Sequence, residues 1–182
     1  EAVRSPVRPR GDLGGAAPLG APPALLAGAG AADGGWRVSA VNRHVPKGDD
    51  VFIGYALYTD DTSQPGLIIR CNRGKLAAGV SLEGADFGRV LADASLISMT
   101  RATVEIGAAA PLHETWGFLK RHKVAFPRDA VTATRLYNAA AKGETIRISV
   151  GKYKNVAIAL PPPSTSAFAA FVGDCGLGAP SR

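Results

Sequence analysis

The chain has 182 residues, with 21 Lys and Arg against 15 Asp and Glu for a net charge of +6, two cysteines, 22 glycines and 46% hydrophobic residues. That length suits one self-sufficient core with a short appendage and leaves no room for two. No stretch approaches the roughly 20 consecutive apolar residues of a membrane-spanning helix, so membrane spanning by a helix is excluded.

Residues 1–35 contain 8 Gly, 9 Ala and 5 Pro. Such a segment has little side chain to bury and is expected to be an extended arm without a core of its own. Its charges (Glu1, Arg4, Arg8, Arg10, Asp12 and Asp33) cancel, so the excess of six positive charges belongs to residues 36–182. Three arginines followed by an Ala- and Leu-rich tract imitate a secretory signal, but Pro18, Pro22 and Pro23 interrupt the apolar run a signal needs. The expectation is a mature, signal-processed chain whose arm docks on a partner or a neighbouring subunit.

From Trp36 the pattern changes. Residues 36–41 alternate as a strand, and residues 42–50 supply turn chemistry with Pro46 and Gly48. Residues 51–58 form a strand of aromatic and β-branched residues, and with 67–71 and 76–82 they are expected to make a three-strand antiparallel meander. Asn72-Arg73-Gly74-Lys75 is the tight turn between the last two, with Asn and Gly expected to take positive φ. Residues 83–86 read as a turn, and 87–99 as a short helix or an irregular crossing. Residues 100–106 alternate, and 115–119 with 123–126 read as a further strand pair.

Pro127-Arg128-Asp129 opens a helix over 130–142 that Gly143 stops. Residues 145–150 and 156–160 read as strands, the latter ended by Pro161-Pro162-Pro163. Ser164-Thr165-Ser166 offers caps for a last helix over 167–175, with Phe168, Phe171 and Val172 on one face. The fold expected is α+β: an antiparallel β-sandwich or curved sheet closed by one or two C-terminal helices. Residues 1–35 are the extended N-terminal arm, 36–178 one domain and 179–182 a tail.

Cys71 ends a strand and Cys175 ends the last helix, 104 positions apart. They do not show the close spacing of a zinc site. A disulfide between them would restrain the unfolded chain by about 4 to 5 kcal/mol and imply an oxidising compartment. Two separate buried thiols in a cytosolic protein is the other reading.

His44, His113 and His122 lack metal-pair spacing, and no Gly-x-Ser-x-Gly elbow occurs, so neither a metal site nor a catalytic triad can be named. Glu83, Asp86, Asp93, Glu105 and Glu114 are candidate acid–base carboxylates, but nothing in the sequence selects two of them. Cations gather at Arg70, Arg73 and Lys75 and again at Lys120, Arg121 and Lys123, and these six are the candidate partner-binding residues. Tyr55 and Tyr58 fall on opposite faces of their strand and cannot form one base-stacking platform, which argues against a nucleic-acid partner.

The run Leu67-Ile68-Ile69-Arg70-Cys71-Asn72-Arg73-Gly74-Lys75 is an apolar strand ending Arg-Cys, a polar turn and another strand. Trp36-Arg37-Val38-Ser39 lies upstream. A lone Trp116, a helix leading into Gly143-Glu144-Thr145-Ile146-Arg147-Ile148, and a final helix with Phe168 and Phe171 closing on Cys175 lie downstream. Over residues 36–176 this order resembles the VasI-type periplasmic proteins associated with type VI secretion. It departs from them where residues 156–160 run into three prolines and in its long arm. The invasion-associated locus B proteins share only the late helix-Gly-strand-helix order and normally carry more cysteines.

The resemblance implies a periplasmic β-rich domain with Cys71 bonded to Cys175, acting as an accessory part of an envelope machine without a catalytic site or cofactor. The expectation is therefore a non-enzymatic periplasmic subunit of a cell-envelope, secretion-type assembly, binding protein subunits of that assembly partly through residues 1–35. A small periplasmic hydrolase or ligand-binding protein is the alternative.

Overall fold

The computed structural model describes residues 34–43, 47–48, 51–92 and 96–177. The expected arm, apart from Gly34 and Gly35, and the 179–182 tail lie outside them, as do His44 and Asp93. Strands β1 (Trp36–Arg43), β2 (Val51–Thr59), β3 (Leu67–Asn72) and β4 (Lys75–Ser81) precede the short helix α1 (Phe87–Ala92). Strands β5 (Ile97–Ile106), β6 (Leu112–Leu119) and β7 (Val124–Pro127) lead into helix α2 (Ala130–Lys142). Strands β8 (Ile146–Val150) and β9 (Tyr153–Ala157) precede helix α3 (Thr165–Cys175).

All nine strands belong to one sheet in the order β1-β2-β3-β4-β7-β6-β5-β8-β9, and every neighbouring pair is antiparallel. The fold is α+β as expected, but as one open sheet, neither a two-sheet sandwich nor a closed ring. Two meanders, β1 to β4 and β5 to β7, join where β4 meets β7 through Val80↔Ala125 and Ser81↔Val124. Beyond β9 the chain returns toward the first strand: Ala159 N donates to Pro65 O at 2.9 Å, and the Trp36 indole Nε1 donates to Pro162 O at 3.1 Å.

Period-two alternation divides the strands between two cores. Leu67, Ile69 and Cys71 of β3 point into the larger one with Trp36, Leu57, Trp116 and Ile148, whereas Ile68 points into the smaller one with Val41, Ala56 and Val124. Tyr55 packs on the first and Tyr58 on the second, as their spacing predicts. Helices α2 and α3 cover the larger core, α2 over β4, β5 and β7 and α3 over β1 and β2. Helix α1 covers only part of the opposite face, where Phe87 and Val90 are buried.

Both long helices start and stop where the sequence signals them. Asp129 accepts from Val131 N at 2.8 Å, Gly143 takes a left-handed φ of 70°, and Thr132, Ala133, Leu136, Ala139 and Ala140 form the buried stripe. Ser164 accepts from Ala167 N, so α3 begins at Thr165, two residues earlier than expected. Tyr137 of α2 lies 5.9 Å from the rings of both Phe168 and Phe171, and Phe168 meets Trp36 edge-on at 5.1 Å. The two helices are thereby tied to each other and to β1.

Several boundaries differ from the expected ones. The first meander has four strands, because residues 36–43 pair fully with β2. In the β3–β4 turn Asn72 is still paired with Lys75, so the two loop residues with positive φ are Arg73 (50°) and Gly74 (78°). Two-residue hairpins that match strand twist require positive φ at both central positions, and here Arg73 occupies the first of them. The last strand spans 153–157, not 156–160, because Val150↔Tyr153 already closes a tight turn at Gly151. Gly54 has φ 135°, and a Cβ there would lie 1.8 Å from Cys71 O, where the β1–β2 register slips. No residue other than glycine fits that bulge.

Candidate functional site

The six cations singled out from the sequence do not form one patch. Arg73 and Lys75 sit exposed at the β3–β4 hairpin tip. Lys120, Arg121 and Lys123 sit in the β6–β7 turn, beside Leu82, whose N donates to Lys123 O at 2.9 Å. The two groups therefore flank opposite ends of β4, about 23 Å apart at roughly 3.3 Å per residue. Lys123 is ion-paired with Glu83. That contact, followed by a hydrogen bond with Tyr153, holds the Glu83 carboxyl below its ordinary pKa. Burial, then the same Glu83, pushes the Tyr153 phenol up.

Of the carboxylates suggested as acid–base partners, Asp93 lies outside the described residues, and the other four have the following surroundings. Glu83 and Asp86 line one cleft with Arg89 and Arg121. Asp86, however, accepts from Gly88 N at 3.1 Å at the start of α1 and lies 3.7 Å from Arg89 Nε. Glu114 accepts from the buried Trp116 Nε1 at 2.9 Å and from Thr132 Oγ1 at 2.5 Å, bridging β6 to α2. Glu105 stands opposite Arg147 in the β5–β8 register. His113 is exposed, with Nδ1 3.2 Å from Thr103 Oγ1, and His122 lies in the β6–β7 turn. Among the described residues no three His, Cys, Asp or Glu side chains gather as a metal would require, and no helix is long and apolar enough to cross a membrane.

Cys71 and Cys175 form a disulfide, with Cα atoms 5.7 Å apart. It joins β3 to the C-terminal end of α3 and lies buried in the larger core.

The remaining cation, Arg70, marks a separate concavity with a mainly apolar lining. It projects from the face of β3 opposite Cys71, into a groove of about 440 Å³. The floor is Ile68 of β3 with Ala77 and Gly79 of β4, one wall is Val90 and Leu91 of α1, and the other runs from Phe126 and Leu119 to Ile97. Helix α1 has six residues, and among the described residues no other helix packs on this face, so the side chains of β4, β7 and β6 line the groove beside Val90 and Leu91. Phe126 keeps it low by lying across Gly117, where an added Cβ would come within 2.3 Å of the ring.

Arg70 counts as an exposed residue, but its guanidinium lies partly buried, and that loss of water pushes its pKa down from the ordinary arginine value. It makes no ion pair or hydrogen bond among the described residues. Leu96 (94% exposed), Ile97 (56%) and Met99 (49%) extend the apolar character past the rim. Contiguous apolar surface of this kind marks contact with something other than water. Arg70 itself was legible as a candidate cation, but the apolar lining was not, because it comes from six separate elements.

Comparison with family models, with curated proteins and with solved structures finds no match to this chain.

Proposed function

We propose that this chain is an exported, non-enzymatic accessory subunit of a cell-envelope assembly of the secretion type, binding protein partners. The observation that carries the reading is the Cys71–Cys175 disulfide. A bond of this kind persists in the periplasm or outside the cell and is rare where thiols are kept reduced. It fastens the last helix to an early strand and leaves both cationic turns at the surface. The VasI-type order of motifs supports the periplasmic placement.

In this reading residues 1–35 serve as the attachment arm, since a segment rich in Gly, Ala and Pro can lend its main chain to contacts along a partner. The hairpin tip at Arg73 and Lys75 and the turn at Lys120, Arg121 and Lys123 act as two separate points of electrostatic contact with acidic envelope subunits. The partners are proteins and not nucleic acid, and no helix among the described residues is long and apolar enough to cross a membrane.

Photo-crosslinking residues placed at Arg73 and Lys120 in intact cells test the reading. Adducts with defined envelope proteins at either position support it. No adduct from either position, together with two freely alkylated thiols in the native protein, overturns it. The alternative class, a hydrolase or ligand-binding periplasmic protein, draws support in its ligand-binding form from the groove at Arg70.

A further inference from the structure

We propose that the groove between α1 and β5 is a binding site for a single-chain amphiphile with a carboxylate head, of the fatty-acid class, its head on Arg70 and its chain over Gly79 toward Leu119. The strand register carries the argument. Arg70 pairs with Ala77 across β3 and β4, and one step along the strands Ile68 pairs with Gly79. In line with Gly79 come Phe126 and Gly117, which pair with each other. One step further lie Val124 and Leu119, also paired, and then Ile97 opposite Leu119. The face thus grades along the strand direction from a guanidinium to wholly apolar side chains, with the small residues Ala77 and Gly79 forming a trough between.

The ends of that gradient specify the two ends of the ligand. A guanidinium offers a planar fork of donors that matches a carboxylate, and Arg70 has no carboxylate of its own among the described residues. Partly dehydrated without a counter-ion, it gains more from an incoming carboxylate than a fully solvated arginine would. The remaining lining offers burial to methylenes, and about 440 Å³ lies within the range of small-ligand sites, roughly 300 to 1,000 Å³.

A second copy of this chain is a poor occupant, because each copy carries a net charge of +6. One cation in the groove is also too few for a polyanion. This site is independent of the envelope-subunit reading: its failure would leave the crosslinking and thiol tests untouched.

Calorimetric titration of the full chain with laurate below its micelle concentration tests the proposal, with dodecanol and dodecyltrimethylammonium as head-group controls and vesicles of phosphatidylglycerol as a bilayer control. Saturable binding of laurate in preference to both controls is expected. The Arg70→Gln variant should weaken it about ten- to a hundredfold, the span of a lost charge-assisted hydrogen bond, with Arg70→Lys intermediate.

Nuclear Overhauser contacts from the laurate methylenes to the Phe126 ring and Leu91 methyls in the unmodified protein give a readout that depends on no variant. Absence of laurate binding, equal affinity for the cationic control, or binding only to vesicles would overturn the proposal. So would contacts that map outside the groove.

Discussion

Reducing the Cys71–Cys175 bond is the most informative perturbation of this fold. The two cysteines are 104 positions apart, so the bond closes everything from the end of β3 to the end of α3 into one loop. On the chain-entropy model a loop of that size restricts the unfolded ensemble by about 4.7 kcal/mol, a large part of the roughly 5 to 15 kcal/mol that holds a domain together. The native side of the equilibrium changes far less, because α3 has its own anchorage. Phe171 is fully buried, Phe168 is 8% exposed, and truncating one buried Phe typically costs about 3 to 5 kcal/mol.

Urea unfolding followed by tryptophan emission, with and without dithiothreitol, measures the difference. At a urea slope of about 2 kcal/mol per molar, the midpoint should fall by about 2 M on reduction. The transition should remain cooperative, and emission without urea should stay native, since Trp36 and Trp116 are both fully buried. A midpoint shift under about 0.3 M would refute the loop argument. Unfolded-like emission on reduction alone would show that α3 is held by sulfur and not by its phenylalanines.

Gly54→Ala forces a Cβ against Cys71 O at a positive φ, and a loss of about 3 kcal/mol or more in thermal melts is expected; a loss under 1 kcal/mol would mean the bulge can relax. Glu114→Ala leaves the indole N–H of fully buried Trp116 without its acceptor and should cost about 1 to 3 kcal/mol, with near-native melting arguing against that bridge. Glu83 has a depressed folded pKa, so its contribution is present above the unfolded pKa and disappears as pH falls through the folded one. Between about pH 5 and pH 3 the unmodified protein should therefore lose more stability than Glu83→Gln, and parallel pH profiles would count against the Glu83–Lys123 pair. Asp129→Ala removes the α2 cap and should lower stability by about 1 kcal/mol, read from urea midpoints.

The sequence alone determined the elements whose signals are local. The α2 helix was legible because Asp129 and Gly143 bracket an apolar stripe within fourteen residues. The presence of a tight turn within residues 72–75 (though not that Arg73, in place of Asn72, takes the positive φ), the split of Tyr55 and Tyr58 between faces, and the strand pair around residues 115–126 were legible for the same reason: each rests on periodicity or turn chemistry among near neighbours. The α+β class followed from that succession.

Tertiary structure decided what depends on strands distant in sequence. Whether the strands stack as a sandwich or join as one sheet turns on Val80↔Ala125 and Ser81↔Val124, a seam between residues more than forty apart. The same seam put Lys75 and Lys123 near opposite ends of β4 and so kept the two groups of cations apart. It also brought Phe126 and Leu119 beside Gly79, which made a groove around Arg70 that no single segment encodes. Side-chain direction within a strand is set by alternation, but which strand lies alongside is set by the packing of the whole chain.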